Sequence, residues 1–407
     1  MPPLLLPLLL ALLLACGQPA DPPDPRRLVE AGTEQADLLQ ALGYVDGTVD
    51  PDADKRGVLV HEPGRPAPGL RFYYSRTQEQ AWLIDLDGRP VAHWAADTEA
   101  PWQHVHLDPD TGDLIVLMKD VGLVALRRDG RIRWTFRART HHDLDVDADG
   151  RIHVLSRHAR RIPDLHESLD VLDDVVTVLT PDGDLVEEWS VLEALRASPY
   201  AFLLPDTGAV RARPGATADL DLLHTNHVEV FDGALADRSP LYARGNVLLS
   251  MRNIHTVAIL DGDSHEILWL WGPGNLTFQH DPVLLDDGHI LIFDNGTKRS
   301  RVVELDPLTN RVTWRYDGPP RFFSKTRGSV QRLENGNTLI TISDSGYVRE
   351  VDADGTTVWE FANPDVDETG LRGAIWRMTA YPPGSLPFVD AAGPISGGRV
   401  GGGVAGD

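Results

Sequence analysis

The stretch LRRDGRIRW (residues 126–134) has a tight Asp/Gly turn followed by a strand-like segment that ends in tryptophan. Asp-Gly between alternating apolar residues is a strong indicator of a β-hairpin. Five other stretches repeat the arrangement: LIDLDGRPVAHW (83–94), LTPDGDLVEEW (179–189), ILDGDSHEILW (259–269), ELDPLTNRVTW (304–314) and EVDADGTTVW (350–359). Six copies along one chain indicate six equivalent structural units.

A second type of hairpin, with a glycine in its turn, lies between these copies. It occurs in HVHLDPDTGDLIVLM (from 104), HHDLDVDADGRIHVL (from 141), QHDPVLLDDGHILIF (from 279) and GSVQRLENGNTLITI (from 328). Two hairpins per unit give four strands, which is the blade of a β-propeller. We therefore predict an all-β fold with six blades.

The two ends of the repeat region complement each other. The outer hairpin at 70–94 has no inner partner, and the last inner segment, GAIWRMTAY (373–381), has no outer one. Pairing them closes the ring with strands from both chain ends and removes open sheet edges. An open β-solenoid or a two-sheet sandwich is the alternative that strand spacing alone leaves open.

The N-terminus is typical of a secretory signal. MPPLLLPLLLALLLA is almost wholly apolar but shorter than the roughly 18 residues of a membrane span. Leu13-Leu14-Ala15-Cys16 resembles the lipobox of bacterial lipoproteins, in which the cysteine is lipidated; a plain secretory signal with a chance cysteine is the alternative. We expect an extracytoplasmic protein anchored to a bacterial membrane through Cys16, on the periplasmic or surface side. Gly17 favours the outer membrane.

Composition divides the rest of the chain into three parts. Residues 17–65 are typical of a solvated, acidic, Pro-rich tether, 66–385 hold the propeller repeats, and 386–407 form a Gly-rich disordered tail. Cys16 is the only cysteine, so no disulfide can form within the chain and the core alone must hold the propeller together.

Several classes of function are disfavoured. The net charge of -23 opposes binding to nucleic acid. The sequence contains no phosphate-binding glycine loop and no GxSxG elbow, so we expect no cofactor. Asp145, Asp147 and Asp149 mimic the start of an EF-hand loop, but the twelfth position is Ser156, which predicts a hairpin turn and no calcium site. We predict no metal; histidines holding the metal of a hydrolase are the alternative.

Polar residues recur at one position of the inner hairpins. In three units the residue eight places before the turn glycine is a histidine: His104, His142 and His280. In the third unit Asn226 takes this position, beside His224 and His227, and in the fifth unit it is Gly328. Because equivalent inner-strand positions face a common channel, we expect these side chains to converge at its mouth. A lone histidine is more often a hydrogen-bonded structural residue, but the repetition favours a site.

An ordered set of motifs resembles the PAPS-independent arylsulfotransferases. DLLHTNHVEV (221–230) is similar to the family's D-W-x-H-x-N-S motif, and GNVLLSMRN (245–253) is similar to its S-x-R strand. ILWLWGPGN, QHD (279–281), FDNG (293–296) and SR (300–301) follow in the family's order, and the similarity covers most of 70–382. The resemblance implies a propeller that moves a sulfuryl group from a phenolic sulfate ester to another phenol through a sulfohistidine.

Carried over residue by residue, the resemblance implies that His224 and His280 are catalytic and that Arg301 holds the sulfate. Histidine and arginine donors can neutralise the oxygens of a sulfuryl group, and a neutral imidazole can attack its sulfur. The candidate substrate-binding residues are Asn226, Arg252, His104 and Asn295. A structural salt bridge is the alternative for Arg252, and a tight turn is the alternative for Asn295.

The chain departs from the family at the nucleophile. In the family this histidine follows the arginine, but here no histidine occurs beyond His289, and FFSKTRGSV (322–330) occupies the corresponding stretch. Either another histidine, His142 or His227, takes the covalent role, or the propeller is a non-catalytic ligand-binding protein or scaffold. Sequence similarity does not decide activity on a fold that is so widely reused.

Overall fold

The structure is a computed structural model that describes residues 47–75, 79–207 and 220–392. Its strands form six sheets of at least four strands that follow one another along the chain, antiparallel except where the short strand Leu220–Asp221 pairs with Asp170–Leu179, and one two-stranded sheet. The six-bladed β-propeller predicted from the repeats is therefore confirmed. The predicted signal sequence, the predicted lipobox and residues 17–46 of the predicted tether lie outside the described residues.

The strands of the first half of the ring follow the chain order, blade by blade. Two strands precede the blades: β1 (Gly47–Val49) and β2 (Gly57–His61). Blade 1 contains β3 (Leu70–Ser75), β4 (Gln80–Ile84) and β5 (Pro90–Ala95). Blade 2 contains β6 (Trp102–Leu107), β7 (Leu114–Met118), β8 (Gly122–Leu126) and β9 (Ile132–Arg137). Blade 3 contains β10 (Thr140–Val146), β11 (Ile152–Arg161), β12 (Asp170–Leu179), β13 (Leu185–Ser190) and the short β14 (Leu220–Asp221).

The second half of the ring has the same plan. Blade 4 contains β15 (Thr225–Val230), β16 (Val247–Met251), β17 (Thr256–Leu260) and β18 (Ile267–Trp271). Blade 5 contains β19 (His280–Leu284), β20 (Ile290–Asp294), β21 (Arg301–Asp306) and β22 (Arg311–Tyr316). Blade 6 contains β23 (Ser329–Arg332), β24 (Thr338–Ile342), β25 (Tyr347–Val351) and β26 (Thr357–Ala362). Two strands end the series: β27 (Leu371–Gly373) and β28 (Ile375–Tyr381).

Helices are short in the part of the chain that the structure describes. The α-helices are α1 (Val191–Ala197) and α2 (Pro387–Ala392). The 3₁₀ turns are Ala201–Leu203, Pro240–Tyr242, Arg252–Ile254 and Ser343–Ser345. None of the described helices is long and apolar enough to cross a membrane.

The ring closes through blade 1. β28 from the C-terminal end pairs with β3, with Met378 opposite Tyr73, and becomes the inner strand of a sheet whose other strands come from the N-terminal side. This is the closure by both chain ends that the unpaired hairpins predicted. It leaves no open inner edge in the ring.

Buried apolar side chains form six clusters, one between each pair of adjacent blades. Successive residues of a strand point to opposite faces of its sheet, so each blade supplies two clusters. In β16, Leu248 packs toward blade 5 and Leu249 toward blade 3. The runs of apolar residues in the middle strands follow from burial on both faces.

The six repeated tryptophans connect each blade to the next. Each lies on the outermost of its blade's four strands. Five of them donate their indole N–H to the following blade: Trp94 to Gly112 O, Trp134 to Pro181 O, Trp269 to Asn310 Oδ1, Trp314 to Ala353 O and Trp359 to Leu86 O. The sixth, Trp189, stacks on His265 with ring centroids 4.3 Å apart. A buried tryptophan normally requires such a partner, so the repeat marks the blade interfaces.

Two boundaries predicted from composition lie inside the packed structure. β2 pairs with β26 and covers the outer edge of blade 6, while β1 pairs with β27. Residues 47–61 therefore belong with the propeller, because an uncovered edge strand would expose unpaired backbone groups. At the other end Phe388 is buried, with Arg128 above its ring at 4.9 Å, so the tail does not begin at 386.

Candidate active site at the channel mouth

The inner strands are irregular where they begin, at the end of the channel that we call the mouth. Five of the six have a register shift against the neighbouring strand near this point. Four residues nearby have positive φ without being glycine: His142 (60°), His224 (51°), Asp281 (49°) and Arg327 (61°). Bulges and left-handed residues redirect side chains and cluster at functional sites.

The turn-glycine rule gives the wrong register for blade 2. The inner hairpin of blade 2 has six residues between its last paired positions, whereas that of blade 3 has five. The extra residue shifts the alignment by one, so that His104 is equivalent to Asp143 and Gln103 takes the place at the mouth. Gln103 Oε1 accepts the backbone N–H of His142 there, at 3.0 Å. His104 therefore lies one position deeper than the mouth, where its Nδ1 faces Asp143; that it binds substrate stays a prediction.

The corrected mouth column contains one residue from each blade. From blade 1 to blade 6 these are Trp376, Gln103, His142, Asn226, His280 and Gly328. A Cβ at Gly328 would lie 2.5 Å from the Phe293 ring, and φ is +117°. No larger residue fits this place, which explains the missing side chain in blade 6.

His142 and His224 meet at the mouth across two blades. Their Nε2 atoms are 3.1 Å apart. His224 Nδ1 lies 2.5 Å from Asp221 Oδ2, and the side chain of His224 is 26% exposed. On the other side His142 Nδ1 lies 2.8 Å from Nδ1 of His141, a histidine that the turn-glycine rule missed because it precedes the repeated position. The structure thus brings together two of the predicted catalytic histidines and adds a third.

Burial lowers the pKa of His142 well below its usual value, and the neighbouring charges of His224 and His141 lower it further. His142 is therefore a neutral imidazole at physiological pH. The pKa of Asp221, the partner of His224, is also lowered, but for an acid this favours the charged form. Burial alone would raise the pKa of Asp221, but the charge and hydrogen bond of His224 lower it, so this carboxyl is ionised.

The ring of His280 is held in one tautomer. Asn295 donates its Nδ2 hydrogens to the carbonyls of Ser324 and Arg327, so its Oδ1 faces His280 as an acceptor. His280 Nδ1 donates to this oxygen at 2.7 Å and also approaches Phe278 O at 3.0 Å. Nε2 therefore carries the lone pair, which accepts the backbone N–H of Arg327 at 3.2 Å.

His280 also remains neutral. Burial is the main cause that lowers its pKa, to about 3, and the positive charge of Arg252 adds to the effect. The mouth therefore presents a neutral imidazole with a defined lone pair over the whole physiological pH range.

Two arginines border the histidines. Arg252 stacks on Phe278, with its guanidinium carbon 4.5 Å from the ring centroid, and its charge acts on His280. Arg327 stacks on Trp376 at 4.5 Å and donates to Asp344 at 3.2 Å. Both are suited to an anionic ligand, because guanidinium groups match tetrahedral oxyanions. Arg327 lies in the stretch that resembles the family's nucleophile region.

Arg301 and Asn295 make their side-chain hydrogen bonds within the protein, and their predicted roles in binding substrate stay predictions. Arg301 donates to Asp294 at 2.7 Å and to the carbonyl of Asn275, and neither contact is with a mouth histidine. Asn295 is fully buried and uses its polar atoms within the protein. Its Oδ1 orients the ring of His280. Both residues matched family motifs, but the structure directs their side chains into internal contacts.

A second layer of charged residues lies one position deeper in the channel. Arg377 Nη2 bridges the carboxylates of Asp143, at 3.3 Å, and Asp281. His227 Nδ1 lies 2.8 Å from Asp143, and His104 Nδ1 lies 3.2 Å from it. Burial favours neutral His227, but the carboxylates Asp143 and Asp281 outweigh it and raise its pKa. A raised pKa disfavours the neutral imidazole that a nucleophile needs, so His227 is less suited to the covalent role than His280.

The two aspartates also tie inner strands together. Asp143 Oδ2 accepts the backbone N–H of Val228, and Asp281 Oδ2 accepts that of Val330. Each carboxylate thus both pairs with a charged side chain and caps a strand of a following blade. Arg377 has no signal in the sequence because its strand has no turn glycine from which to count.

A small cavity opens among the mouth residues. Its lining includes His142, Asn226, His280, Ser329 and Trp376. Asn226 Nδ2 donates to Gln279 O, but Asn226 Oδ1 and Ser329 Oγ are buried with no hydrogen-bond partner among the described residues. Such groups usually pair with a ligand or water. This placement is consistent with the predicted contact between Asn226 and a substrate.

One group of described residues has the spacing of metal ligands, and it lies away from the mouth. Asp287, His289 and Glu304 bring their ligand atoms within 4.8 Å of one another. Arg332 donates to Glu304 at 2.5 Å, so its guanidinium already provides a positive charge beside this group.

The fold and the site define a six-bladed β-propeller with histidines and arginines at the mouth of its channel. The sequence profile of the arylsulfotransferase (ASST) family matches residues 137–364, which is more than half of the chain. The chain therefore belongs to the arylsulfotransferase family. No curated protein sequence matches it significantly.

Solved structures with similar folds are distant in sequence. A Bacteroides caccae protein of unknown function is 16% identical, with a TM-score of 0.50 over 77% of this chain and 98% of its own. A Desulfotomaculum acetoxidans protein of unknown function is 10% identical, with a TM-score of 0.42 over 75% and 84%. Apo AztD from Citrobacter koseri is 10% identical, with a TM-score of 0.43 over 78% and 98%.

Proposed function

We propose that the protein transfers a sulfuryl group from a phenolic sulfate ester to a phenol, without PAPS, at the channel mouth. Family membership supports small aryl substrates and this class of reaction. The observation that carries the proposal is the neutral, oriented imidazole of His280 beside the charge of Arg252.

His280 supplies the nucleophile in this proposal. Its Nε2 lone pair gives up the hydrogen bond that it accepts from the backbone N–H of Arg327 and forms an N–S bond as the S–O bond to the aryl group breaks. The electron pair of the S–O bond goes to the phenolate oxygen. The phenolate takes a proton from the imidazolium of His224. In the second half-reaction the acceptor phenol returns a proton to His224, its oxygen bonds to sulfur, and the N–S bond breaks.

The arginines stabilise the charge on the transferred group. In a loose transition state the sulfuryl oxygens carry negative charge, and Arg252 and Arg327 offer fixed donors in a site that is largely closed to water. Arg327 keeps its contact with Asp344, so Arg252 is the stronger candidate for binding sulfate. This arrangement places arginine where the family pattern has its last histidine.

The test measures nitrophenol release from 4-nitrophenyl sulfate by the purified protein, with and without a phenol acceptor. We expect release that depends on acceptor and a loss of at least about 100-fold in kcat for His280→Asn, as for removal of a nucleophile. His158→Asn is the matched control, since His158 is an exposed residue of β11 paired with Glu188. Protein incubated with the donor alone and examined by native mass spectrometry near neutral pH, where the N–S bond is not lost to acid, should carry one sulfuryl group that is absent from the His280 variant.

Two results would reject this assignment. The first is no nitrophenol release under any acceptor condition. The second is full activity of His280→Asn, which would place the covalent step on another residue or remove it.

We also propose that the chain is extracytoplasmic and held at a bacterial membrane through lipid on Cys16, as the lipobox resemblance suggests. Labelled fatty acid should be incorporated into the wild-type protein and not into Cys16→Ser. Equal labelling of both proteins, or of neither, contradicts the anchor.

A further inference from the structure

Three histidines at the mouth form a continuous chain with a carboxylate at each end. His141 Nε2 lies 3.2 Å from Ser156 O and 3.3 Å from Asp174 Oδ1. Three more contacts continue the chain: His141 Nδ1 to His142 Nδ1 (2.8 Å), His142 Nε2 to His224 Nε2 (3.1 Å) and His224 Nδ1 to Asp221 Oδ2 (2.5 Å). We call this arrangement the histidine chain. It joins blade 3 to the segment that leads into blade 4.

Counting protons shows that the histidine chain is charged. Each of its four contacts joins two atoms that both have lone pairs, so each contact needs one proton to be attractive. Three neutral imidazoles carry three ring protons in total. A fourth proton is therefore required. The pKa of Asp221 is lowered, so that carboxyl does not hold the proton, and one of the three rings is an imidazolium.

The position of the extra proton follows from the ends of the chain. The central ring, His142, is buried and has a pKa far below its usual value, so it is the least favourable place. His224 has the shorter carboxylate contact, 2.5 Å against 3.3 Å for His141, and charge-assisted hydrogen bonds are strongest when short. The proton therefore rests on His224, beside Asp221.

Other charges face the histidine chain from neighbouring elements. The positive groups are Lys119 near His142, Arg157 near Asp221, and Arg252 near Asp221 and His280. These positive charges disfavour a second extra proton on the histidine chain. The carboxylates of Asp174 and Asp221 stabilise the first one. The surroundings thus favour one stored proton and oppose two.

We infer that the histidine chain stores one exchangeable proton for the two half-reactions of sulfuryl transfer, and that His141 is a positioning residue for it. The inference rests on the proposed function. When the aryl group leaves, the N–H bond at His224 Nε2 breaks and an O–H bond forms on the phenolate. When the acceptor attacks, its O–H breaks and His224 regains the proton, so the chain ends each cycle as it began.

His141 sets the direction of the hydrogen bonds in the histidine chain without contacting the substrate. Its Nε2 donates to Ser156 O, which leaves Nδ1 as an acceptor for His142 Nδ1–H. His142 Nε2 must then accept, so His224 must donate. If His141 is replaced, His142 can reverse its tautomer and donate to His224, which no longer needs the extra proton.

The first measurement is made on the wild-type protein. NMR of the full chain with ¹⁵N-labelled histidine should show one imidazolium from the histidine chain at pH 7.5, assigned by its loss in His224→Asn. Three neutral rings at this pH would overturn the inference. So would a stoichiometric transition metal, found by elemental analysis, between the two Nε2 atoms.

The second measurement uses His141→Asn, with His158→Asn as the control. The basic limb of the kcat profile should move down by about one pH unit, a tenfold change in the protonation constant, while KM for 4-nitrophenyl sulfate stays within about threefold. An unchanged basic limb overturns the inference. If the variant does not fold, the wild-type NMR result decides alone.

The two proposals fail differently. If NMR shows the imidazolium but the protein does not turn over 4-nitrophenyl sulfate, the proposed function is wrong and the stored proton remains a property of the mouth. If the protein turns over 4-nitrophenyl sulfate but all three rings are neutral, the inference of a stored proton is wrong and the proposed function stands.

Discussion

Replacing Asn295 by aspartate tests how the neutral state of His280 is maintained. The side chain is nearly isosteric, and an acceptor oxygen stays 2.7 Å from His280 Nδ1. The change adds a negative charge beside the imidazole and removes the two N–H donors to Ser324 O and Arg327 O. It therefore perturbs the charge of the ring more than its position.

The expected size of the effect follows from Coulomb's law. A carboxylate about 4 Å from the imidazolium centre, at an effective dielectric constant of about 20, favours the charged ring by about 4 kcal/mol, or nearly 3 pKa units. The wild-type pKa of about 3 should therefore rise to about 5 to 6. Losing the two donors should destabilise the fold by about 2 to 4 kcal/mol.

The assay is the pH dependence of kcat/KM for 4-nitrophenyl sulfate between pH 4 and 8. A nucleophile must be neutral, so activity is lost as pH falls through the pKa of the ring. The wild type should have no acid limb from His280 above pH 4, whereas Asn295→Asp should lose about tenfold per unit below its raised pKa. Asn335→Asp, in the exposed turn of the β23–β24 hairpin, controls for the charge itself. Identical acid limbs in a folded Asn295→Asp protein would refute this account of His280.

Three further changes test the fold around the site. Trp359→Phe removes the indole bond across the blade 6–blade 1 interface and should lower the free energy of unfolding by about 1 kcal/mol in denaturant titration. Arg377→Met leaves two buried carboxylates without their shared cation, so we expect a loss of about 3 to 5 kcal/mol, measured in the same way. Gly328→Ala places a Cβ against an aromatic ring in a backbone conformation that disfavours alanine, and should cost more than about 1 kcal/mol, visible as a lower Tm.

Two of these changes have a control variant. Trp82→Phe alters a tryptophan within blade 1 that packs on His93, and should have a smaller effect than Trp359→Phe. Gly336→Ala has a similar positive φ but no atom within 4 Å of the added Cβ, so it isolates the backbone strain. Equal losses for the two glycine variants would contradict the steric explanation at Gly328. A neutral effect of Arg377→Met would show that the aspartates find other partners or take up protons.

Much of the fold could be predicted because its determinants are local. The Asp/Gly turns and the tryptophan that follows them lie within a dozen residues, and each copy marks one outer hairpin. The same holds for the family motifs, which brought His224 and His280 to attention. What the motifs did not show is which partner a side chain takes, as Arg301 takes Asp294. A sequence pattern gives the residue but not the direction of its side chain.

The sequence by itself determined the number of blades, their closure by both chain ends, and the family. These depend on two-residue alternation and turn chemistry, which act between neighbours in the chain. Only the tertiary structure decided which polar residues share the mouth. One extra residue in a turn moved His104 to the deeper layer, and the contact of His142 with His224 joins residues 82 positions apart. Bulges and channel contacts leave no periodic trace, because they depend on how strands from different blades meet.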